Sequence, residues 1–421
     1  MNGPLDVQAG PGRRRAPGPA YGTETPSSGT GTLRRGNIVC FAKEWTEDPT
    51  SNNHVMRLLA REQTVLWLNS VATRSPRLRS RGDVAKLRRK LGSFGQGTRE
   101  VAEGLHVYTP LVLPFPHSRV AQAANRRILR AVVARLRTRL GMDTFQLWTF
   151  LPTTAQYIGL LGEELSVYYV TDQWSRFSSV DGAKVEAQEQ ALLAKVDLVF
   201  ATSRSLVECK RPYNPNTYLA SHGVDHEHFS RALREDTPVA PELAGLRKPV
   251  IGFFGLVQDW IDTELFAFLA HQRPEWSIVV VGKSLVDLSS LAKYPNITLI
   301  DRRPYADLPA YCKGFDVALC PFKVNDLTLH VNPIKLREYV SAGLPVVSTD
   351  IPECRLNPAW TRVGRTHEEF LSQVECALAE DSPDARARRS NAMRGETWER
   401  KVADIGARVT EARERKRSGA Q

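Results

Sequence analysis

No apolar run in the 421 residues approaches the ~20 that a membrane-spanning helix needs, so no transmembrane helix is expected. Residues 1–35 contain no apolar core segment and are rich in Pro, Gly, Ser, Thr and Arg. No secretory signal is expected there, and the stretch reads as a disordered tail. The six cysteines, Cys40, Cys209, Cys312, Cys320, Cys354 and Cys376, form no Cys-x-x-Cys pair. Their spacing gives no zinc site, and their mostly apolar surroundings suggest reduced core residues of a cytosolic protein. The P-loop, His-Glu-x-x-His and Gly-x-Ser-x-Gly signatures are missing, and with them the sequence signs of the chemistries they carry. There is no internal repeat.

What is present is a chain long enough for two ordinary domains, with 42% apolar residues to fill two cores. The net charge of +11 is unevenly placed. One basic run holds Arg74, Arg77, Arg79, Arg81, Lys86, Arg88, Arg89 and Lys90, and a second holds Arg126, Arg127, Arg130, Arg135, Arg137 and Arg139 on an expected helix. Anionic lipid headgroups at the inner membrane leaflet suit such runs, and so does plain solvation in an Arg-rich chain. Nucleic acid is not expected as a partner, because neither run has interleaved aromatics or a recognisable reading module.

Short apolar strands alternate with helical patterns from residue 36 onward. Strands are expected at Asn37–Ala42, Thr64–Asn69, Leu105–Thr109, Thr144–Thr149, Val167–Thr171 and Leu198–Thr202, and helices at Asn53–Arg61, Ser118–Leu140 and Ala183–Lys195. A segment of low periodicity with Pro238 and Pro241 follows at 235–248 and reads as a linker. A second series then begins: Val250–Phe254, Trp276–Val281, Ile297–Ile300, Val317–Cys320 and Val346–Ser348. The expected organisation is a tail (1–35), a first domain (36–234), the linker (235–248), a second domain (249–384), and a C-terminal helical pattern (385–421) long enough to cross back onto the first domain. The fold class is α/β: two Rossmann-like, doubly wound domains facing each other across a cleft, with the site outside the carboxyl ends of the strands.

The most informative stretch is His330-Val331-Asn332-Pro333-Ile334-Lys335-Leu336-Arg337-Glu338, which continues through Ala342-Gly343-Leu344-Pro345-Val346-Val347. Pro333 fits the first turn of a helix, and Gly343 ends it before a buried strand. The free N–H groups and partial positive charge of a helix N-terminus hold phosphate. Lys335 adds a cation in that first turn, and Glu338 follows one turn later on the same face. A cation for a diphosphate and a carboxylate for ribose hydroxyls meet the needs of a nucleotide-sugar site. The plain alternative is an amphipathic helix with a solvated Lys and Glu. The stretch resembles the donor-site helix of GT-B glycosyltransferases, close to glycosyltransferase family 4 and its teichuronic-acid-type bacterial members.

The resemblance implies a role for several other residues. Gly252-Phe253-Phe254-Gly255 resembles the first strand and loop of the donor domain, placing Gly255 against the diphosphate, and Asp262 is the expected cap of the next helix. Lys283, at a strand end, and Arg303 and Tyr305, in the loop Asp301–Pro309, are candidates for bounding the base; a turn with solvated arginines is the alternative. His330 stands where the family keeps the first of its paired glutamates, and Leu256, Val257 and Gln258 stand where its first loop carries cations, so Lys335 is left with most of the diphosphate charge. The candidate donor-binding set is Gly255, Lys283, Arg303, Tyr305, His330, Asn332, Lys335 and Glu338. On the acceptor side, His54, Asp172 and His222 are the catalytic candidates; His222 precedes the turn Gly223-Val224-Asp225 that ends the first domain in the family. As a cap or a surface histidine, Asp172 and His54 would have no such role.

No Asp-x-Asp occurs, so the metal-chelating motif of GT-A transferases is missing. The resemblance implies a retaining, metal-independent transfer from a nucleoside-diphosphate sugar, with no separate cofactor and no protein-bound metal. The acceptor would be a saccharide or lipid-linked precursor of cell-surface polysaccharide, and the protein cytoplasmic, peripheral on the inner face of the membrane. A sugar-nucleotide epimerase and a non-catalytic partner of the same fold are the rival readings.

Overall fold

The structure, a computed structural model, describes residues 36–45, 50–69, 97–113 and 118–419. The tail and the basic run from Arg74 to Lys90 lie outside the described residues. The first sheet has eight strands: β1 (Asn37–Phe41), β2 (Val65–Leu68), β3 (Arg99–Ala102), β4 (Leu105–Tyr108), β5 (Phe145–Thr149), β6 (Leu165–Val170), β7 (Leu198–Ala201) and β8 (Thr217–Leu219). Their order is β3-β4-β2-β1-β5-β6-β7-β8, parallel except for the β3–β4 pair. Helices α1 (Ser51–Leu59), α2 (Arg119–Arg139), α3 (Gly182–Leu193), α4 (Arg204–Lys210) and α5 (His226–Ser230) connect or follow these strands.

Alternate residues of β1 explain the layering. Ile38 and Cys40 join a cluster with Val55 of α1, whereas Val39 and Phe41 pack with Leu129 and Val133 of α2. Both faces are covered, so the strand is apolar throughout rather than alternating. β3 and β8 escape sequence patterning because they are short and lie at the sheet edges, where burial is incomplete.

The second sheet holds β9 (Val250–Phe254), β10 (Ser277–Val281), β11 (Ile297–Ile300), β12 (Val317–Cys320), β13 (Val346–Thr349) and β14 (Arg362–Gly364). Its order is β11-β10-β9-β12-β13-β14, so the winding reverses between β9 and β12. Helices α6 (Thr263–Gln272), α7 (Leu308–Gly314), α8 (Ile334–Ser341), α9 (Pro352–Arg355), α10 (His367–Ala379) and α11 (Pro383–Ala392) pack around it. Asp262 caps α6 as expected, accepting from the N–H groups of Glu264 and Leu265 at 3.1 Å each. The chain enters this core early: Val224, Phe229, Ala232, Ala240 and Leu243 are all part of it, so the 235–248 segment is packed against the second domain.

The C-terminal pattern is two helices, not one continuous helix. Gly395 interrupts it, and Thr397 starts α12 (Trp398–Arg417) by accepting from Arg400 N–H. Only α12 crosses back. Trp398, Val402, Ile405 and Val409 enter the first domain's core, and Arg413 pairs with Glu164 at 2.6 Å. All six cysteines are free; Cys209 and Cys376 are exposed rather than in the core. Among the described residues no helix is long and apolar enough to cross a membrane.

Candidate active site

The switch point of the second sheet places the β9 loop beside the start of α8. Pro333 is the residue before the helix, in extended backbone (φ −70°, ψ 112°), rather than the first helical residue. No side chain caps the helix; of its first-turn N–H groups, that of Leu336 donates to Pro333 C=O at 3.2 Å.

Lys335 runs along the α-carbon of Gly255. A Cβ there would lie 2.7 Å from the ammonium nitrogen and closer still to the lysine stem. Gly255 has φ +139° and Gly282 has φ +146°, and a Cβ on Gly282 would collide with the carbonyl of Gly255. Two strand ends therefore touch backbone to backbone, with the lysine stem lying against the first. Tyr339 fixes this arrangement: its hydroxyl accepts from Phe254 N–H at 2.9 Å and donates to Phe254 C=O at 3.3 Å. The sequence reading missed Tyr339, whose role depends on a strand far away in sequence. Lys283 is exposed just after Gly282, and its main-chain carbonyl accepts from Val257 N–H.

Glu338, 8% exposed, lies one turn below Lys335. Burial pushes its carboxyl up to about 7, and the Lys335 charge pulls the other way. Among the described residues, no group hydrogen-bonds or ion-pairs with the Lys335 ammonium or the Glu338 carboxylate. A half-buried cation and a buried acid, both without partners, thus stand together at the carboxyl edge of a parallel sheet.

The other donor-side candidates are engaged elsewhere. Arg303 donates to Glu242 at 2.7 Å and to the Tyr311 hydroxyl at 2.9 Å, tying its loop to the segment before β9. Tyr305 is stacked on His228 (centroids 4.5 Å apart, planes 12°) with its edge to Phe229, and its main-chain carbonyl contacts His228 Nε2 at 2.9 Å. Burial raises its hydroxyl, and the Glu338 charge adds to the rise. The Asn332 amide is spent across the domain seam: Nδ2 donates to Thr202 C=O at 2.7 Å, and Oδ1 accepts from Arg337 at 2.8 Å. Arg337, 4% exposed, also reaches Glu396 at 3.7 Å, linking α8 to the crossing segment. His330 lies against α4, its carbonyl accepting from Ser203 Oγ at 2.7 Å and its Nδ1 4.0 Å from Cys209 Sγ. It joins the seam between the domains, with no hydrogen bond or ion pair to Lys335 or Glu338.

The structure brings His54 and His222 together with Trp398. His54 stacks on that indole (4.9 Å, 5°) and lies 6.2 Å from Tyr305. His222, 7% exposed, shares a 2.8 Å hydrogen bond with Ser51 Oγ, and its ring lies 6.0 Å from Trp398. Burial lowers His54 to about 4 and His222 to about 3, with Arg337 adding to the fall for His222. Gly223 is required here for close approach rather than for a turn: a Cβ would fall 2.6 Å from the main chain of Trp398. Asp172 stands apart, half-buried beyond β6, with its carboxyl raised by burial and no hydrogen bond or ion pair to either histidine. Close by, Phe177 meets Trp260 edge-on at 5.5 Å, Ser178 bonds Asp259, and Arg176 lies 3.6 Å from Asp326, a strap between the domains absent from the sequence reading.

His222 gives a stability prediction. Its folded value lies below the ordinary 6.5, so between pH 6.5 and 3 the unfolded chain takes up the proton first and stability falls as pH falls. At pH 5 this cost is about 2 kcal/mol. The stability gap between wild type and His222→Gln in urea unfolding is expected to shift by that amount between pH 8 and pH 5; a constant gap would show that His222 titrates normally.

Residues 248–379, the second domain, match the family model described as Glycosyl transferases group 1. TuaH of Bacillus subtilis (strain 168), assigned as a teichuronic acid biosynthesis glycosyltransferase, is 22% identical over 273 residues, covering 60% of this chain and 68% of that protein. The chain is a GT-B glycosyltransferase. The sucrose-phosphate synthase of Thermosynechococcus elongatus superposes on this glycosyltransferase with a TM-score of 0.65 at 12% identity, over 90% of this chain and 99% of that one. Anabaena HepE (Alr3699), solved in complex with UDP-glucose, superposes at 0.61 and 12% identity, over 89% and 99% of the two chains. At such identities the likeness shows the shared fold of two parallel-sheet domains.

Proposed function

We propose that this glycosyltransferase moves a sugar from a nucleoside-diphosphate sugar to a saccharide or lipid-linked acceptor of cell-surface polysaccharide, on the cytoplasmic side and with retention of configuration. The observation that carries the reading is the unpartnered pair at the start of α8, Lys335 over Gly255 and Glu338 one turn below. The helix N-terminus and Lys335 take the diphosphate charge without a metal ion, and the Glu338 carboxylate accepts from the ribose hydroxyls. The acceptor hydroxyl attacks the anomeric carbon on the face the diphosphate leaves, passing its proton to the departing phosphate oxygen. His54, His222 and Asp172 border the acceptor side, the two histidines as neutral groups. The UDP-glucose of the HepE complex makes a uridine donor the first to try, and the relation to TuaH supports a cell-envelope acceptor.

The reading makes a pH-dependent prediction. A carboxyl near 7 is mostly protonated at pH 6 and mostly ionised at pH 8. UDP-glucose has no group titrating in this range, so its affinity is expected to rise about tenfold from pH 6 to pH 8. In Glu338→Gln the slope disappears. Calorimetric titration at the two pH values checks this, and an unchanged slope in the variant would remove Glu338 from the donor site. Product formation that requires an added acceptor separates transfer from epimerisation.

A further inference from the structure

Behind the turn that follows β6 lies a buried charge pair with no part in the mechanism proposed above. Lys210, the last residue of α4, and Glu189 of α3 are 4% and 2% exposed, and Lys210 Nζ donates to Glu189 Oε2 at 2.8 Å. Side chains from two further segments complete the network. Tyr168 of β6 donates its hydroxyl to Glu189 Oε1 at 2.7 Å, and Gln173 Oε1 accepts from Lys210 Nζ at 2.7 Å. Gln173 in turn donates to Ser175 Oγ at 3.3 Å, so the network ends on the turn that carries Asp172 and Trp174.

Stability alone does not account for this pair. A buried ion pair recovers only part of the cost of leaving water, and apolar side chains of similar volume would join α3 to α4 as firmly. They would not hold the Gln173 amide, whereas a fully satisfied polar network fixes one geometry. The turn so held bears two groups matched to a sugar hydroxyl. One is the Asp172 carboxylate; the other is Trp174 Nε1, a buried N–H without a hydrogen-bond partner among the described residues.

Both ends of the network also meet the second domain. At the start of α4, Ser203 Oγ donates to His330 C=O at 2.7 Å, Ser205 Oγ to Leu329 C=O at 3.2 Å, and Arg204 N–H to Glu353 Oε1 at 2.8 Å. Beyond Gln173, Arg176 reaches Asp326 and Phe177 reaches Trp260. Lys210 therefore joins two segments that each touch the domain holding the donor-site candidates.

We infer that Lys210 and Glu189 are positioning residues for a saccharide acceptor. Through Gln173 they fix the Asp172–Trp174 turn beside the second domain. There the Asp172 carboxylate accepts from, and the Trp174 N–H donates to, hydroxyl groups of the acceptor sugar. That use of the turn rests on the function proposed above; its anchoring by the network does not.

The test uses the full chain. Removing one partner would strand a buried charge, so the network is replaced whole in Tyr168→Phe/Glu189→Leu/Lys210→Met and, separately, cut at the turn in Gln173→Leu. The second variant keeps the Lys210–Glu189 pair and serves if the first folds poorly. In both, amides of residues 172–177 are expected to exchange with deuterium about tenfold faster, with β1 and β5 unchanged. For transfer from UDP-glucose to octyl glucoside, a soluble saccharide acceptor, the acceptor KM is expected to rise about tenfold. UDP-glucose affinity and its slow hydrolysis should stay at wild-type values, a split that a general loss of stability would not produce. Asp172→Asn/Gln173→Leu should lose less than the sum of the two single changes. Unchanged exchange at 172–177, an unchanged acceptor KM, or donor affinity falling in step with acceptor KM would overturn the inference. Exchange needs no turnover, so if wild type transfers nothing to octyl glucoside, faster exchange in the variants still upholds the anchoring and the failure falls on the proposed function.

Discussion

Lys335→Ala is expected to slow sugar transfer by about a hundred- to a thousandfold, the usual loss when one preorganised stabiliser of a developing negative charge is removed. The ammonium has no ion pair among the described residues, and the buried Glu338, whose carboxyl the Lys335 charge holds down, can take up a proton once that charge is gone, so the melting temperature should move little near neutral pH. Substrate saturation should weaken less than turnover, because the charge grows as the diphosphate departs. Lys335→Arg is not a faithful replacement: a planar guanidinium does not fit the channel against Gly255 that the lysine stem occupies. The measurement is steady-state transfer from UDP-glucose with the best available acceptor. Wild-type turnover in Lys335→Ala would move the diphosphate cation elsewhere, and Lys283, exposed after the neighbouring glycine, would be the first place to look.

Gly255→Ala is expected to be nearly as damaging to transfer, for a separable reason. The new methyl group occupies the space of the lysine stem, and the residue must hold φ +139°, a conformation that costs an alanine about 1–3 kcal/mol. The displaced part of Lys335 is the far end of a flexible side chain, so the clash is relieved by moving the ammonium off its position. Stability should therefore fall only by the backbone strain, while transfer falls as in Lys335→Ala. The two changes should not add: Gly255→Ala/Lys335→Ala should transfer no more slowly than Lys335→Ala alone. Additive losses in that double-mutant cycle would show that Gly255 acts through its own backbone contact with the diphosphate and not through the lysine.

Much of the architecture was legible from local pattern. Strands such as Val250–Phe254 are apolar without alternation because both faces are covered, and that signal needs no partner to be named. The cap at Asp262 and the stop at Gly343, whose φ is +82°, were readable because helix ends are settled by a few adjacent residues. Lys335 and Glu338 were readable for the same reason: one turn of helix puts them on one face. The edge strands Arg99–Ala102, Thr217–Leu219 and Arg362–Gly364 gave no such signal, being short and partly exposed.

The uses of the polar candidates lay beyond that range. Arg303 looked available for a base until the fold brought Glu242 to it, and Tyr305 until His228 covered its ring. Asn332 sat inside the informative stretch, yet its amide is held by Thr202 from the other domain. Gly223 was expected to make a turn and instead admits the backbone of Trp398. The sequence by itself determined the two parallel sheets, the helix after Pro333 and the paired cation and acid on it, because each follows from residues within a turn or a strand of one another. Tertiary structure alone decided which polar groups remain free for a ligand, because hydrogen-bond partners are allotted by contacts between segments more than a hundred residues apart, such as Thr202 and Asn332.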